Sequence, residues 1–188
     1  PATQGIALGS FFFGCILTPI AGGFLSRKYG ATRVYGLGIE LCGVFGMLIP
    51  AVTFRFDYME LAALRVLQGI CEGMNYAAVV TLIAAWTPKS ELTSTFGFIQ
   101  VGSYLGVLMG MQISGRLAAS EFLGGWPAIF YVFGAFTTVW YAVFTIFVTD
   151  KPNDNSFISD EELNVITKDL GTHSPTTNSR ATPWKEII

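Results

Sequence analysis

Histidine occurs once in the 188 residues, cysteine three times, and charged side chains make up only 13% of the chain. A lone His173 in the tail, with no Cys/His grouping around it, excludes a zinc site and gives metal chemistry nothing to build on. Cys15, Cys42 and Cys71 all fall inside apolar runs, so they read as small packing residues and not as a disulfide framework. A basic excess is missing too. The 11 Lys and Arg against 13 Asp and Glu leave a formal net charge of −2, which is no footprint for nucleic acid. No glycine-rich phosphate loop, nucleophile elbow or zinc signature occurs, so no enzyme chemistry and no cofactor are expected. A basic leader followed by a small-residue cleavage site is also absent, and the apolar start at Pro1 is therefore not read as a signal peptide.

What the chain does have is apolar length. Hydrophobic residues make up 52%, with 21 Gly and 16 Phe, and mean hydropathy is +0.52. Ten of the 24 charges lie from Lys151 onward, leaving a long charge-poor body and a short polar tail. This is the profile of an all-α membrane protein. A hydrocarbon layer needs roughly 20 apolar helical residues to cross it, and five stretches qualify, at about 6–25, 34–54, 61–86, 96–117 and 126–149. None carries the continuous polar face that a helix of a water-soluble bundle needs. The apolar sequence at both ends reads as an internal piece of a larger membrane protein.

The connections set an orientation. The first carries Arg27, Lys28 and Arg33 with no acid, the second Arg55 against Asp57 and Glu60, the third Lys89 and Glu91, and the fourth Glu121. Basic residues favour the cytoplasmic side, so the first and third connections and the tail are expected there. Trp86 and Trp126 fall at span ends, where amphipathic rings favour the interface. The organisation expected is five membrane helices in 1–150, a cytoplasmic segment in 151–183 and the start of another span in 184–188. Within the middle segment, Ser159 and Glu162 form a capping box. It opens a short helix with Leu163, Ile166 and Leu170 on one stripe, ended by Gly171 and followed by a Ser/Thr/Asn-rich linker.

Charges inside hydrocarbon cost about 2.5–3.5 kcal/mol each on insertion scales, so each needs a reason. Arg65 and Glu72 lie seven residues apart, almost two helical turns, so they project from one face about 10 Å apart along the axis. Gln68, Asn75 and Tyr76 extend that polar stripe. The functional reading is a substrate and proton pathway of Arg65, Gln68, Glu72, Asn75 and Tyr76, in which the guanidinium holds an anion and the carboxyl changes protonation. The bland reading is an internal ion pair that locks the helix to its neighbours. Glu40 is expected to serve structure, and Arg116 to reach the headgroups with its long stem. Gly102, Gly106 and Gly110 recur every four residues, a smooth strip suited to helix packing.

The first connection, Gly22-Gly23-Phe24-Leu25-Ser26-Arg27-Lys28-Tyr29-Gly30-Ala31-Thr32-Arg33, resembles the loop between spans 2 and 3 of the major facilitator superfamily. Arg27 stands where that loop usually has an acid. Leu8-Gly9-Ser10-Phe11-Phe12-Phe13-Gly14, Arg65-Val66-Leu67-Gln68-Gly69-Ile70-Cys71-Glu72-Gly73 with Tyr76, and Trp86-Thr87-Pro88 narrow the resemblance to the anion–cation symporters of solute carrier family 17. So do Gly125-Trp126-Pro127, Phe130-Tyr131-Val132-Phe133-Gly134, Ile158-Ser159-Asp160-Glu161-Glu162 and Pro183-Trp184-Lys185. The resemblance runs the length of the chain and implies a partial fold, spans 2–6 of twelve, in a multi-pass protein of the plasma, vesicular or lysosomal membrane. It implies secondary active transport of a small organic or inorganic anion by alternating access, coupled to H+ or Na+, within a lipid bilayer. It assigns Arg65 and Glu72 to transport and proton coupling, Tyr76 to the central cavity, and Gly23, Arg27, Lys28, Gly30 and Arg33 to a cytoplasmic gating loop. Leu8 stands where vesicular glutamate transporters have histidine, and Cys15 where many members have tyrosine. With the absent loop acid, these departures leave a second reading, a non-transporting scaffold or receptor that retains the fold.

Overall fold

The computed structural model describes residues 2–55, 58–155, 158, 159, 162–164 and 166. Six α-helices account for nearly all of them: α1 (Ala2–Leu17), α2 (Pro19–Tyr29), α3 (Ala31–Arg55), α4 (Tyr58–Trp86), α5 (Leu92–Ala119) and α6 (Pro127–Phe147). Helices α3 to α6 are each long and apolar enough to cross a membrane, and the bent pair α1–α2 passes the same test taken together. The protein is therefore an all-α membrane protein. The helices pack in a chain, with α1 and α2 on α4, α4 on α3, α3 on α6 and α6 on α5.

The stretch expected as the first span, at about 6–25, is bent. Between Gly9–Leu17 and Pro19–Tyr29 the axis turns by 50°. Pro19 has no N–H to offer the Cys15 carbonyl, and its ring crowds that carbonyl, so the helical ladder is interrupted there. Thr18 sits at the break and ties it to α4. Its hydroxyl lies 2.8 Å from the Gly14 carbonyl and 3.2 Å from the Ile70 carbonyl of α4. A hydroxyl has one proton to donate, so the two acceptors share it.

The expected basic loop is helical as well. Gly23, Arg27 and Lys28 lie on α2, and Arg33 on the first turn of α3. Gly30 alone separates the two helices. Arg27 and Lys28 occupy the last turn of α2, where cations favour the negative end of the helix dipole. Gly30 has φ +96°, a backbone region that side-chain-bearing residues rarely adopt. The Asp150 carboxylate occupies the space where a Cβ on Gly30 would stand. Its Oδ1 accepts the Thr32 N–H at 2.8 Å, and so caps α3 from 118 residues away. Beside it, the Trp86 indole N–H donates to the Thr149 carbonyl at 2.9 Å. These two bonds join the ends of α3, α4 and α6. The acid missing from the α2–α3 junction in sequence is thus present there in space, supplied by the end of α6.

Helices α1 and α2 pack on α4 in the same chain direction, with an offset that holds at 52 residues. Ser10 donates to the Ala62 carbonyl at 3.2 Å, and Thr18 to Ile70 with the same spacing. Gly14 lies on the Val66 to Ile70 backbone, and Gly22 on Met74. Gly69 and Gly73 answer from α4, lying against Phe11 and Cys15. The tight seam is therefore Ser10, Gly14, Thr18 and Gly22 against Gly69 and Gly73, small residues that let two backbones approach. The row expected for packing, Gly102, Gly106 and Gly110, meets nothing within 4 Å among the described residues. Helix α5 has no buried residue, because it lies at the edge of the chain of helices and touches chiefly α6.

Helix α6 runs antiparallel to α3 along its whole length. Gly36 meets Tyr141 and Phe144, Gly43 meets Thr137, and Met47 folds over Gly134. Tyr35, Trp140 and Phe144 cluster at one end. Phe54 and Trp126 lie 5.5 Å apart at the other. Beyond α6, Leu163 N–H donates to the Ser159 carbonyl at 2.9 Å and Ile166 is buried. Leu170, Gly171, the linker at 172–183 and the segment 184–188 lie outside the described residues.

Candidate functional site

The polar stripe of α4 divides between two tasks. Gln68 and Asn75 turn to α3. Gln68 is 6% exposed and Asn75 4%. The Gln68 amide nitrogen donates to the Cys42 carbonyl at 3.3 Å. With its amide turned to suit its neighbours, Asn75 donates to the Tyr35 carbonyl at 3.3 Å and accepts from the Ile39 N–H at 3.2 Å. Gly38 gives Asn75 the space to reach that backbone. Gly46 lies beside Gln68 at ordinary contact distance, the Gln68 amide nitrogen 3.6 Å from where a Cβ would stand. Lipid offers polar groups no partner, so amides that bond across helices act as glue. Gln68 keeps one function open, since its amide oxygen is buried without a partner.

Arg65, Glu72 and Tyr76 are not spent in this way. Arg65 is half-buried and Glu72 exposed, while Tyr76 is 72% exposed. No ion pair joins Arg65 to Glu72 among the described residues. The bland reading, an internal ion pair, therefore loses its main support. Seven residues of helix hold the two groups about 10 Å apart, too far to touch.

Glu72 opens onto a cleft of about 340 Å³ between α3 and α6. Its walls are apolar: Ile39, Gly43 and Gly46 from α3, and Phe130, Phe133 and Thr137 from α6. Thr137 bonds its hydroxyl to the Phe133 carbonyl of its own helix, so the free carboxyl of Glu72 is the charged group of this cleft. The α6 side of the wall was not anticipated from sequence. Phe130, Phe133 and Gly134 stood out there only as motif residues, and their helical spacing was the signal that they share one face.

Glu40 faces α6, and its Oε2 is buried without a partner. Thr138 donates to its Oε1 at 3.0 Å, tying α3 to α6. Arg116 is exposed near the end of α5, beside Gln112 and Leu108 in a shallow groove, where its stem can reach headgroups. Lys28 lies with its ammonium 5.1 Å from the Tyr29 ring. Among the described residues no group of three or more His, Cys, Asp or Glu could hold a metal ion.

Comparison with known proteins bears on what such a bundle does. A Drosophila ananassae protein named for proposed inorganic phosphate cotransport is 37% identical over 188 residues, covering all of this chain and 38% of that protein. Vesicular glutamate transporter 3 of Danio rerio is 36% identical over 191 residues, and vesicular glutamate transporter 2 of Homo sapiens 33% over 191; the chain covers 32% of each. The chain thus spans about a third of the length of these curated relatives, which are members of solute carrier family 17. The family description "Major Facilitator Superfamily" matches residues 1–188. With its bent first pair, its apolar spans and an unpaired Arg and Glu on one membrane-spanning helix, the chain belongs to the Major Facilitator Superfamily.

Proposed function

We propose that this chain is part of a secondary active transporter of small organic or inorganic anions that works by alternating access. The observation that carries the reading is an Arg and a Glu inside a membrane-spanning helix, on one face, with neither satisfied by the other. An ionisable group in hydrocarbon must face protein or water, and one with no structural partner has work elsewhere. Arg65 supplies the positive charge that attracts an anion, and its planar guanidinium can hold a carboxylate or phosphate with two bonds. Glu72 carries the coupling proton, or alternatively contacts Na+. The smooth row at Gly102, Gly106 and Gly110 offers a surface along which helices slide as two halves rock about a midplane site. Gly30, with Arg27, Lys28 and Arg33 around it, forms the junction that such rocking loads, and Gly23 leaves one face of α2 open there. The names of the relatives, phosphate and glutamate, agree with a small anionic solute.

The test is uptake of labelled phosphate, glutamate and other small anions by full-length protein in vesicles, with Arg65→Gln and Arg65→Lys. Arg65→Gln should lower uptake by tenfold or more, equal to at least about 1.4 kcal/mol. Arg65→Lys should restore part of it, because the charge remains while the fork is lost. No uptake of any anion by the wild type would favour the scaffold reading, and uptake by Arg65→Gln at the wild-type rate would remove Arg65 from anion binding.

A further inference from the structure

The buried amide oxygen of Gln68 is an acceptor with no donor. Buried polar groups are nearly always bonded, so an orphan of this kind in a 6% exposed side chain asks for a partner present only at certain times. The amide nitrogen is already committed to the Cys42 carbonyl at 3.3 Å, which fixes the orientation of the amide and leaves the oxygen turned away from that bond. Glu72 stands four residues further along α4, the spacing at which an amide and a carboxyl side chain meet on a helix. The two side chains also share neighbours. Cys42 accepts the Gln68 bond and lines the Glu72 cleft, and Gly46 stands beside both.

We propose that Gln68 is the proton-state partner of Glu72: the protonated carboxyl donates its O–H to the Gln68 amide oxygen, and the ionised carboxylate leaves it. The chemistry is one-sided. A carboxylic acid has one O–H to give, whereas a carboxylate only accepts. Two acceptors facing each other repel, so loss of the proton releases Glu72 toward the cleft. The proton thereby decides whether Glu72 is folded against its own helix or free to act on a solute held by Arg65. This rests on the coupling reading of Glu72 and adds to it a named acceptor.

Other titratable groups surround the carboxyl without replacing that acceptor. Cys15 on α1, Tyr35 and Cys42 on α3, and Cys71 on α4 lie near enough to feel its charge. Arg65 shares its helix face. Helix α6 presents Ile129, Phe130, Phe133, Gly134 and Thr137 to the cleft, none of them titratable in the working range. Thiols and a phenol are weak or distant acceptors beside an unpartnered amide carbonyl.

The measurement is infrared difference spectroscopy of the full-length protein between acidic and neutral pH. The Glu72 acid band is assigned by its absence in Glu72→Gln, and uptake is followed against pH in parallel. Gln68→Met keeps the volume and the helix preference but removes the acceptor. It should move the acid carbonyl band to higher frequency and displace the pH profile of uptake. A wild-type band and profile in Gln68→Met would overturn the proposal. An assigned acid band with pH-independent uptake would instead mean that the coupling reading had failed first.

Discussion

Glu72→Gln in the full-length protein is expected to retain exchange of labelled solute across the membrane while losing its pH-driven accumulation. Glutamine has nearly the shape of the protonated acid but cannot change its charge. A carboxyl that carries the coupling proton must alternate between two states, and the variant is held in one. Exchange needs only the solute to cross in both directions, so it continues. Net uptake against a gradient needs the proton to leave, so it falls. The expected loss in accumulation is tenfold or more, at least about 1.4 kcal/mol of driving force. The pH dependence of the remaining uptake should flatten. The measurement is parallel counterflow and gradient-driven uptake in vesicles at several pH values, with surface expression matched. A variant that accumulates solute with wild-type rate and pH dependence would remove Glu72 from the coupling step, leaving Arg65 to be judged separately.

The second large effect is expected at neighbouring glycines that differ only in which way they face. Gly22 lies against the Met74 backbone, so that a Cβ there would come within 2.6 Å of it, whereas a Cβ on Gly23 meets nothing within 4 Å among the described residues. Backbone cannot swing aside as a side chain can, so Gly22→Ala must push α2 off α4. Overpacking of this kind costs about 1–3 kcal/mol, and Gly22→Leu more. Gly23→Ala meets no obstacle and gains helix preference, roughly 1 kcal/mol relative to glycine. The full-length protein in detergent should therefore melt lower with Gly22→Ala and at or above the wild-type temperature with Gly23→Ala. Equal melting temperatures for the two variants would mean that the α2–α4 seam is looser than the 52-residue register requires.

Length and hydropathy made most of the helices legible. Runs expected at 34–54 and 61–86 appear as Ala31–Arg55 and Tyr58–Trp86, because a membrane helix is defined by a long apolar composition that no tertiary contact overrides. The bend at Thr18 was less legible. Proline can break a helix, but apolar composition continues through Pro19, so 6–25 reads as one span, and the residue that secures the bend does so through a carbonyl on another helix. Small residues at four-residue spacing occur both at Ser10, Gly14, Thr18 and Gly22 and at Gly102, Gly106 and Gly110. Spacing shows that a helix can be approached closely, and only the placement of its neighbours shows which row is approached. The same limit applies to Asp150. It reads as an ordinary acid at the end of a span, and only the fold brings it to the Thr32 N–H.

The α4 stripe divides along the same line. Periodicity placed Arg65, Gln68, Glu72, Asn75 and Tyr76 close together on one helix, and they are. It did not separate residues that bond α3, Gln68 and Asn75, from those left unpaired, because the sectors differ by a fraction of a turn. The backbone exposed at Gly38 on α3 lets Asn75 find its partners there. Arg65 and Glu72 lie one step around the helix from those partners.

Water access to that step is the most direct measure of the account. Arg65→Cys and Glu72→Cys, in full-length protein lacking Cys15, Cys42 and Cys71, can be exposed to a charged, membrane-impermeant thiol reagent, with Val139→Cys on the outward face of α6 as the comparison. Positions 65 and 72 should react while position 139 should not, and at position 72, where Arg65 remains to hold the solute, a transported anion should slow the reaction. Positions 65 and 72 as inert as 139, with or without the anion, would contradict a solute pathway along α4.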